Sequence, residues 1–157
     1  MSPMAALPLA FVLVHGGHVG AWVWDEVRSQ LQWPSFAVNL PGHGQRQGSV
    51  GALTFADRLA ATRAELPMNE RYILVGHSLG AAVVLPPADE LSERTAHVVV
   101  LAGPVPRPGG SVFSVFPLMM RLVSQVVMTF SGPEFTQSPR LAESTLLNGL
   151  ASESASR

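Results

Sequence analysis

One segment carries most of the structural information in this 157-residue sequence: RYILVGHSLG, residues 71–80. The run 71–75 is largely apolar on successive residues, which is typical of a strand buried on both faces of a parallel sheet. The turn that follows has the pattern G-x-S-x-G, with glycines at 76 and 80 around Ser78 and an apolar, helix-like stretch after it. A strand, a tight turn and a helix are the setting in which a serine hydroxyl stands clear at the top of a sheet.

Each residue type in this turn has a mechanical reason to be there. Gly76 and Gly80 allow a turn too tight for side chains at the flanking positions. Leu79 would begin the helix, so its amide would point to the place where negative charge develops when Ser78 attacks a carbonyl group. The segment therefore predicts a nucleophilic serine with one amide donor beside it.

Further along the chain in both directions, apolar runs alternate with helix-like stretches. The runs cover residues 9–14, 35–40, 71–75 and 97–101, and the helix-like stretches include 21–31 and 54–66. The second of these stretches opens with Thr54 and Asp57 in the spacing of a capping box. This alternation predicts an α/β fold in which a parallel sheet is flanked by helices.

Two more motifs follow the first and second runs. Residues 15–24 read HGGHVGAWVW and residues 39–44 read NLPGHG. Together with G-x-S-x-G, these motifs resemble the α/β-hydrolase superfamily, in its esterase and hydroxynitrile-lyase-like branch, which shows H-G-x-x-x-G-A-W-x-W and D-L-P-G-H-G here. The resemblance is in register from about residue 9 to residue 110, with Asn39 in place of the usual acid. It implies that the strand at 71 lies beside the strand at 9, which crossover rules permit.

The resemblance implies a role for particular residues. Ser78 would be the nucleophile, the amides of Gly17 and Leu79 would form the oxyanion hole, and His15 would anchor the oxyanion loop. The remaining motif positions would be structural: Gly16, Gly76, His77 and Gly80. The implied reaction is carboxylesterase-like acyl transfer to water, on a small-molecule ester or related carbonyl substrate, without a cofactor or a metal.

The triad that this chemistry needs is not complete in the 157 residues. Family members supply an acid and then a histidine after the serine, and the only histidine after Ser78 is His97. His97 begins the fourth run, so roughly 16 Å of strand should separate it from the serine, and we expect a surface histidine. The other histidines, His15, His18, His43 and His77, occupy structural positions of the motifs.

The chain is therefore expected to be a fragment that lacks the C-terminal strands of the hydrolase fold. After Gly103 the sequence becomes rich in proline and glycine and then apolar. We expect residues 1–103 to form the N-terminal part of the hydrolase core and residues 104–157 to begin the cap or lid.

Composition excludes several other classes. All ten basic residues are Arg, and there is no Cys, so chemistry that needs a lysine amine or a thiol is excluded. A net charge of −1 gives no basic surface for nucleic acid. Residues 1–14 carry no cationic residue and the run 112–130 is interrupted by polar residues, so we expect a cytoplasmic protein without a membrane span. The oligomeric state stays open.

Several alternatives remain open at this point. The chain could be a non-catalytic, hydrolase-like binding protein or a hydroxynitrile-lyase-type enzyme, since both share this half of the fold. His15, His18 and His43 could be considered a metal site, although no carboxylate converges on them. Gly42, Gly44 and Gly48 resemble a dinucleotide loop with the third glycine one position late.

Three features of packing are also left as expectations. Trp22 and Trp24 are interpreted as core residues. Met119, Met120 and Met128 either line a lipophilic pocket under a lid or pack in the cap. Pro86-Pro87 predicts that the helix after Ser78 ends early and restarts at Ala88, or bends after Leu85.

Overall fold

A computed structural model describes residues 7–43, 53–68 and 70–131 of the chain. The elements are β1 (Leu9–Val14), α1 (Asp25–Gln30), β2 (Ser35–Val38), α2 (Phe55–Ala64), β3 (Arg71–His77), α3 (Leu79–Glu90), β4 (Thr95–Leu101) and α4 (Leu118–Ser131), with 3-10 turns at Ala21–Trp24 and Val112–Val115. The four strands form one sheet in the order β2-β1-β3-β4, and every pair is parallel. The predicted parallel sheet and the pairing of β3 with β1 are confirmed.

The register of the strands places three chain segments at one edge of the sheet. Val14 at the end of β1 is opposite Val38 at the end of β2 and Gly76 near the end of β3. The loops that leave these strands at their carboxyl ends therefore start side by side. This edge is where ligands bind in open α/β sheets.

The two central strands, β1 and β3, are largely buried on both faces, which explains the lack of alternation in their apolar runs. Successive strand residues point to opposite faces, so Val12 and Leu13 of β1 enter different clusters. One cluster is completed by Val83 and Val84 of α3. The other is completed by Trp24, at the end of the first 3-10 turn.

The predicted capping box at the start of α2 is confirmed. The Asp57 amide donates to Thr54 Oγ1 at 3.2 Å, and the Thr54 amide donates to Asp57 Oδ2 at 2.7 Å. The Thr54 hydroxyl also donates to this carboxylate. This side-chain hydrogen bond, and to a smaller extent the one from the Thr54 amide, lower the pKa of Asp57. Reciprocal capping satisfies two backbone donors that the first helical turn leaves without partners.

The helix after Ser78 differs from expectation. α3 continues from Leu79 to Glu90 and includes both Pro86 and Pro87, so the expected early end and restart at Ala88 are wrong. Each proline lacks one amide donor, but Pro87 is fully buried and Val83 and Val84 anchor the helix in the core. Burial of this face outweighs the missing hydrogen bonds, because tertiary packing stabilises most helices in proteins more than propensity does.

Strand and helix boundaries shift by a few residues. β2 ends at Val38 instead of residue 40, β3 continues to His77, and β4 begins at Thr95 instead of residue 97. The stretch 21–31 is a 3-10 turn followed by the short helix α1. Within the described ranges, no helix has the length and apolar character to cross a bilayer.

β4 is the edge strand of the sheet over the residues that the structure describes. Its apolar residues Val98, Val99 and Leu101 are 37–41% exposed. The chain beyond it, with α4, also presents apolar side chains to solvent, Met119 and Met120 among them. The division into a core at 1–103 and a cap at 104–157 stays a prediction.

Candidate active site

Ser78 lies between the last residue of β3 and the first residue of α3, in a backbone conformation that side chains rarely adopt. Its φ is 51° and its ψ is −117°. The Ser78 amide donates to the carbonyl of Leu101 in β4 at 3.0 Å, and the Ser78 carbonyl accepts from the amide of Ala81 at 3.0 Å. A strained non-glycine residue held by neighbours on both sides is a feature that clusters at active sites.

The two glycines of the motif are required by backbone contacts. A Cβ on Gly76 would lie 2.5 Å from the Gly80 carbonyl oxygen, and a Cβ on Gly80 would collide with the carbonyl oxygen of Val14 and lie 2.7 Å from that of His15. The start of α3 therefore crosses directly over the end of β1. This close approach fixes the position of the turn around Ser78, here called the elbow, relative to the loop that follows β1.

That loop brings Gly16 next to the serine, and Gly17 follows it in the chain. A Cβ on Gly16 would lie only 3.0 Å from Ser78 Cβ, whereas a Cβ on Gly17 would meet nothing within 4 Å. On the other side of Ser78, the amide of Leu79 is the first of α3 and has no acceptor within the helix. The structure thus brings together the backbone segments of Gly16, Ser78 and Leu79, and the role of the Gly17 amide stays a prediction.

His15 is fully buried at the start of the loop. Its Nε2 accepts from the Leu40 amide at 3.1 Å, so the proton of the neutral ring is on Nδ1, which donates to the Gly16 carbonyl at 2.7 Å. Burial, ahead of the neighbouring charges of His43 and His77, lowers the pKa of His15. Because both nitrogens are used by the backbone, His15 is placed to hold the loop and cannot take a proton from Ser78.

This arrangement predicts a pH dependence of stability. A depressed pKa means that the unfolded chain binds a proton below pH about 6.5 that the folded chain excludes. The contribution of His15 is therefore complete above pH about 6.5 and is lost as the pH falls toward the pKa of the folded state. Urea unfolding at pH 7.5 and pH 5.5 should show a stability loss that His15→Gln reduces. An identical loss in both proteins would contradict the neutral assignment.

The residue after β2 also contacts the loop. Asn39 Oδ1 accepts a hydrogen bond from the Ala21 amide at 2.8 Å. The sequence marked Asn39 only as a departure from the resembled motif and gave it no role. Asn39 and the acid usual at this position of the motif both carry a side-chain acceptor oxygen. That shared oxygen is the signal that could have revealed this contact.

The remaining histidines near the site have different surroundings. His43 Nδ1 lies 3.2 Å from the Pro41 carbonyl oxygen, and its ring centroid is 5.3 Å from that of His15. The half-buried His77 meets the buried Trp24 in an edge-on contact with ring centroids 6.4 Å apart. His18 is exposed, with φ 66°.

Two other predicted placements need correction. Trp24 is in the core as expected, but Trp22 is 56% exposed. The two side chains differ because residues two positions apart in a 3-10 turn point in different directions. His97 is the third residue of β4, not its first, and is opposite Ile73. The side chain of His97 is exposed, so the expected surface histidine is confirmed. Because Ile73 is five residues before Ser78, about 16 Å of strand separates His97 from the serine along the sheet.

In the parts of the chain that the structure describes, no three His, Cys, Asp or Glu side chains stand close enough to hold a metal ion. Gly44 and Gly48 of the dinucleotide-loop hypothesis lie outside the described residues, as does the side chain of Met128.

Comparison with known proteins identifies the fold and its family. A sequence profile of the Alpha/beta hydrolase family matches residues 11–155. Polyneuridine aldehyde esterase from Rauvolfia serpentina is 30% identical over 138 residues, which are 79% of this chain and 52% of the esterase. Pheophorbidase from Raphanus sativus is 30% identical over 108 residues, 64% of this chain and 41% of that protein. The chain thus spans about a third to a half of the length of the curated relatives it matches.

The solved structures agree with the sequence comparisons. An extracellular α/β-hydrolase from a Paenibacillus species superposes with a TM-score of 0.77 at 25% identity, covering 95% of this chain and 63% of that one. The profile match covers most of the chain, and the superposition shows the same arrangement of sheet and helices. The chain belongs to the α/β-hydrolase family.

Proposed function

We propose that this chain supplies the nucleophile and the oxyanion-binding amides of a serine esterase. The observation that carries the proposal is the conformation of Ser78, with φ 51° between β3 and α3. A strained serine at this position has no structural purpose that glycine would not serve better. The presence of a serine side chain at this strained position therefore points to a use for its hydroxyl group.

The proposed reaction is acyl transfer in two steps. Ser78 Oγ attacks the ester carbonyl carbon, the bond to the alkoxy oxygen breaks, and the alcohol leaves with the proton that Ser78 gave to a general base. Water then attacks the acyl-serine, and the acid is released. The amides of Gly17 and Leu79 hold the negative oxygen that forms in each step, and losing one such donor typically costs about a hundred- to a thousandfold in rate.

The proposed substrate is a carboxylic ester of a small alcohol. Relatives named methylesterases and esterases support this class, since two of them match 79% and 63% of this chain. We place the beginning of a cap in residues 104–157, where exposed Met119 and Met120 would meet an apolar acyl chain.

Covalent labelling tests the nucleophile directly. A fluorophosphonate should phosphonylate Ser78 in the protein produced from the complete reading frame, with fluoride as the leaving group, because the oxyanion amides bind the phosphonyl oxygen. Trypsin releases residues 72–94 as one peptide, which mass spectrometry resolves. This peptide also contains Ser92, an exposed serine, which serves as an internal control.

The expected result is one adduct on Ser78, absent in Ser78→Ala and unchanged in Ser92→Ala. A folded protein that is not labelled, or is labelled equally at both serines, would contradict the esterase proposal and favour a non-catalytic binding protein.

A further inference from the structure

The two residues that follow β2 hold both ends of the loop between β1 and the first 3-10 turn. The Leu40 amide donates to His15 Nε2 at 3.1 Å at the start of the loop. Asn39 Oδ1 accepts from the Ala21 amide at 2.8 Å at its end. Two adjacent residues after β2 thus bind His15 and Ala21, which are six residues apart in the chain after β1.

The segment between these anchors contains the proposed oxyanion donor and a strained residue. Gly16 is in contact range of Ser78 Cβ, Gly17 follows it, and His18 has φ 66°. A non-glycine residue in this region keeps its conformation only where the surrounding structure holds it. The two anchors supply that restraint, since each one ties the loop to the rigid sheet.

The two anchors differ in what they require of the side chain. His15 acts from within the core and orders the carbonyl of Gly16 as well as the amide of Leu40. Asn39 is half-buried at the sheet edge and acts on the loop through its side-chain oxygen at the Ala21 amide. An aspartate at this position would retain an acceptor oxygen, whereas an alanine would remove it.

We propose that Asn39 is a positioning residue for the oxyanion loop, and that its acceptor oxygen at the Ala21 amide keeps the Gly17 amide directed at the oxyanion. This proposal rests on the proposed esterase function. A donor that is used only in the transition state contributes to kcat and little to substrate binding. Asn39 therefore affects the chemical step although it does not touch the reacting atoms.

The first measurement is kinetic and uses the protein of the complete reading frame with a p-nitrophenyl ester. Asn39→Ala should lower kcat by about ten- to a hundredfold while KM changes less than about threefold. Asn39→Asp should restore most of kcat. Thr54→Ala is the matched control, because it removes the capping bond of α2 at a distance from the loop and should leave kcat within about twofold.

The second measurement does not depend on activity. Hydrogen exchange of the Ala21 amide, measured by NMR in the 157-residue chain, should be about tenfold or more faster in Asn39→Ala than in the parent and Asn39→Asp, because the hydrogen-bond acceptor of this amide is gone. Thermal melting of each variant separates a local effect from global unfolding. Thr54→Ala should leave Ala21 exchange unchanged.

The outcomes separate this proposal from the proposed function. If Ser78→Ala does not lower activity, the esterase function fails, while faster Ala21 exchange in Asn39→Ala would still support the anchor. If Ser78→Ala abolishes activity but Asn39→Ala leaves kcat and Ala21 exchange unchanged, the positioning role is overturned. The role is also overturned if Asn39→Asp is as slow as Asn39→Ala.

Discussion

The 157-residue chain should hydrolyse p-nitrophenyl acetate no faster than its own Ser78→Ala variant. Ser78 needs a base within hydrogen-bond reach, and His97, the only histidine after it in the sequence, is exposed opposite Ile73. His15 has both ring nitrogens committed to Leu40 and Gly16. The amides alone leave a residual acceleration of about a thousand- to ten-thousandfold over water, which the variant would share.

The same substitution should have a very large effect where an acid and a histidine are supplied. If the reading frame beyond codon 157 encodes an Asp or Glu and a His after later strands, the longer protein should turn over the ester, and Ser78→Ala should lower kcat by on the order of a millionfold. Initial rates measured on purified proteins at equal concentration provide the comparison. Ser92→Ala is the control, since Ser92 is exposed in the turn after α3.

One result would overturn this account of the triad. If the 157-residue chain hydrolyses the ester at an ordinary esterase rate and loses that rate on Ser78→Ala, a histidine near the elbow acts as the base. His18, His43 and His77 would then be the residues to replace in turn.

Gly80→Ala should destabilise the chain by about 3 kcal/mol or more. The added Cβ would collide with the carbonyl oxygen of Val14 and lie 2.7 Å from that of His15. These are backbone atoms at the end of a central strand, so they cannot move aside as a flexible side chain would. Since domains of this size are stable by only about 5–15 kcal/mol, much of the stability would be lost.

Gly17→Ala is the matched control for this prediction. A Cβ on Gly17 would meet nothing within 4 Å, so its effect on unfolding should be below about 0.5 kcal/mol. Urea unfolding followed by circular dichroism measures both variants. Equal stability of the Gly80 variant and the parent protein would show that α3 does not cross β1 as closely as described.

The sequence was sufficient to predict the sheet, because its central strands are buried on both faces and leave continuous apolar runs. The elbow was predictable for a related reason: Gly76 and Gly80 are needed for backbone contacts that hardly any other residue could make. The capping box was predictable because Thr54 and Asp57 interact locally. In each case the local pattern and the tertiary structure demand the same residues.

Features that depend on distant contacts were not predictable in this way. α3 continues through Pro86 and Pro87 because its buried face packs on the sheet, which helix propensity does not report. Trp22 and Trp24 look equivalent in the sequence, and only the 3-10 turn separates the exposed ring from the buried one. The contact of Asn39 with Ala21 joins two loops 18 residues apart, and its only signal in the sequence is the acceptor oxygen that Asn39 shares with the usual acid of the motif.

The strand order β2-β1-β3-β4 has a consequence for the synthesis of the chain on the ribosome. β1 can pair with β2 early, but its other neighbour begins 62 residues later, since Leu9 is opposite Arg71. At about 5–20 residues per second, translation takes roughly 3–12 seconds to cover that interval. During this time one edge of an apolar strand has no partner. The nascent chain is therefore exposed to aggregation before its central pair of strands can form, and a chaperone that binds short apolar segments would meet residues 9–14 before β3 is complete.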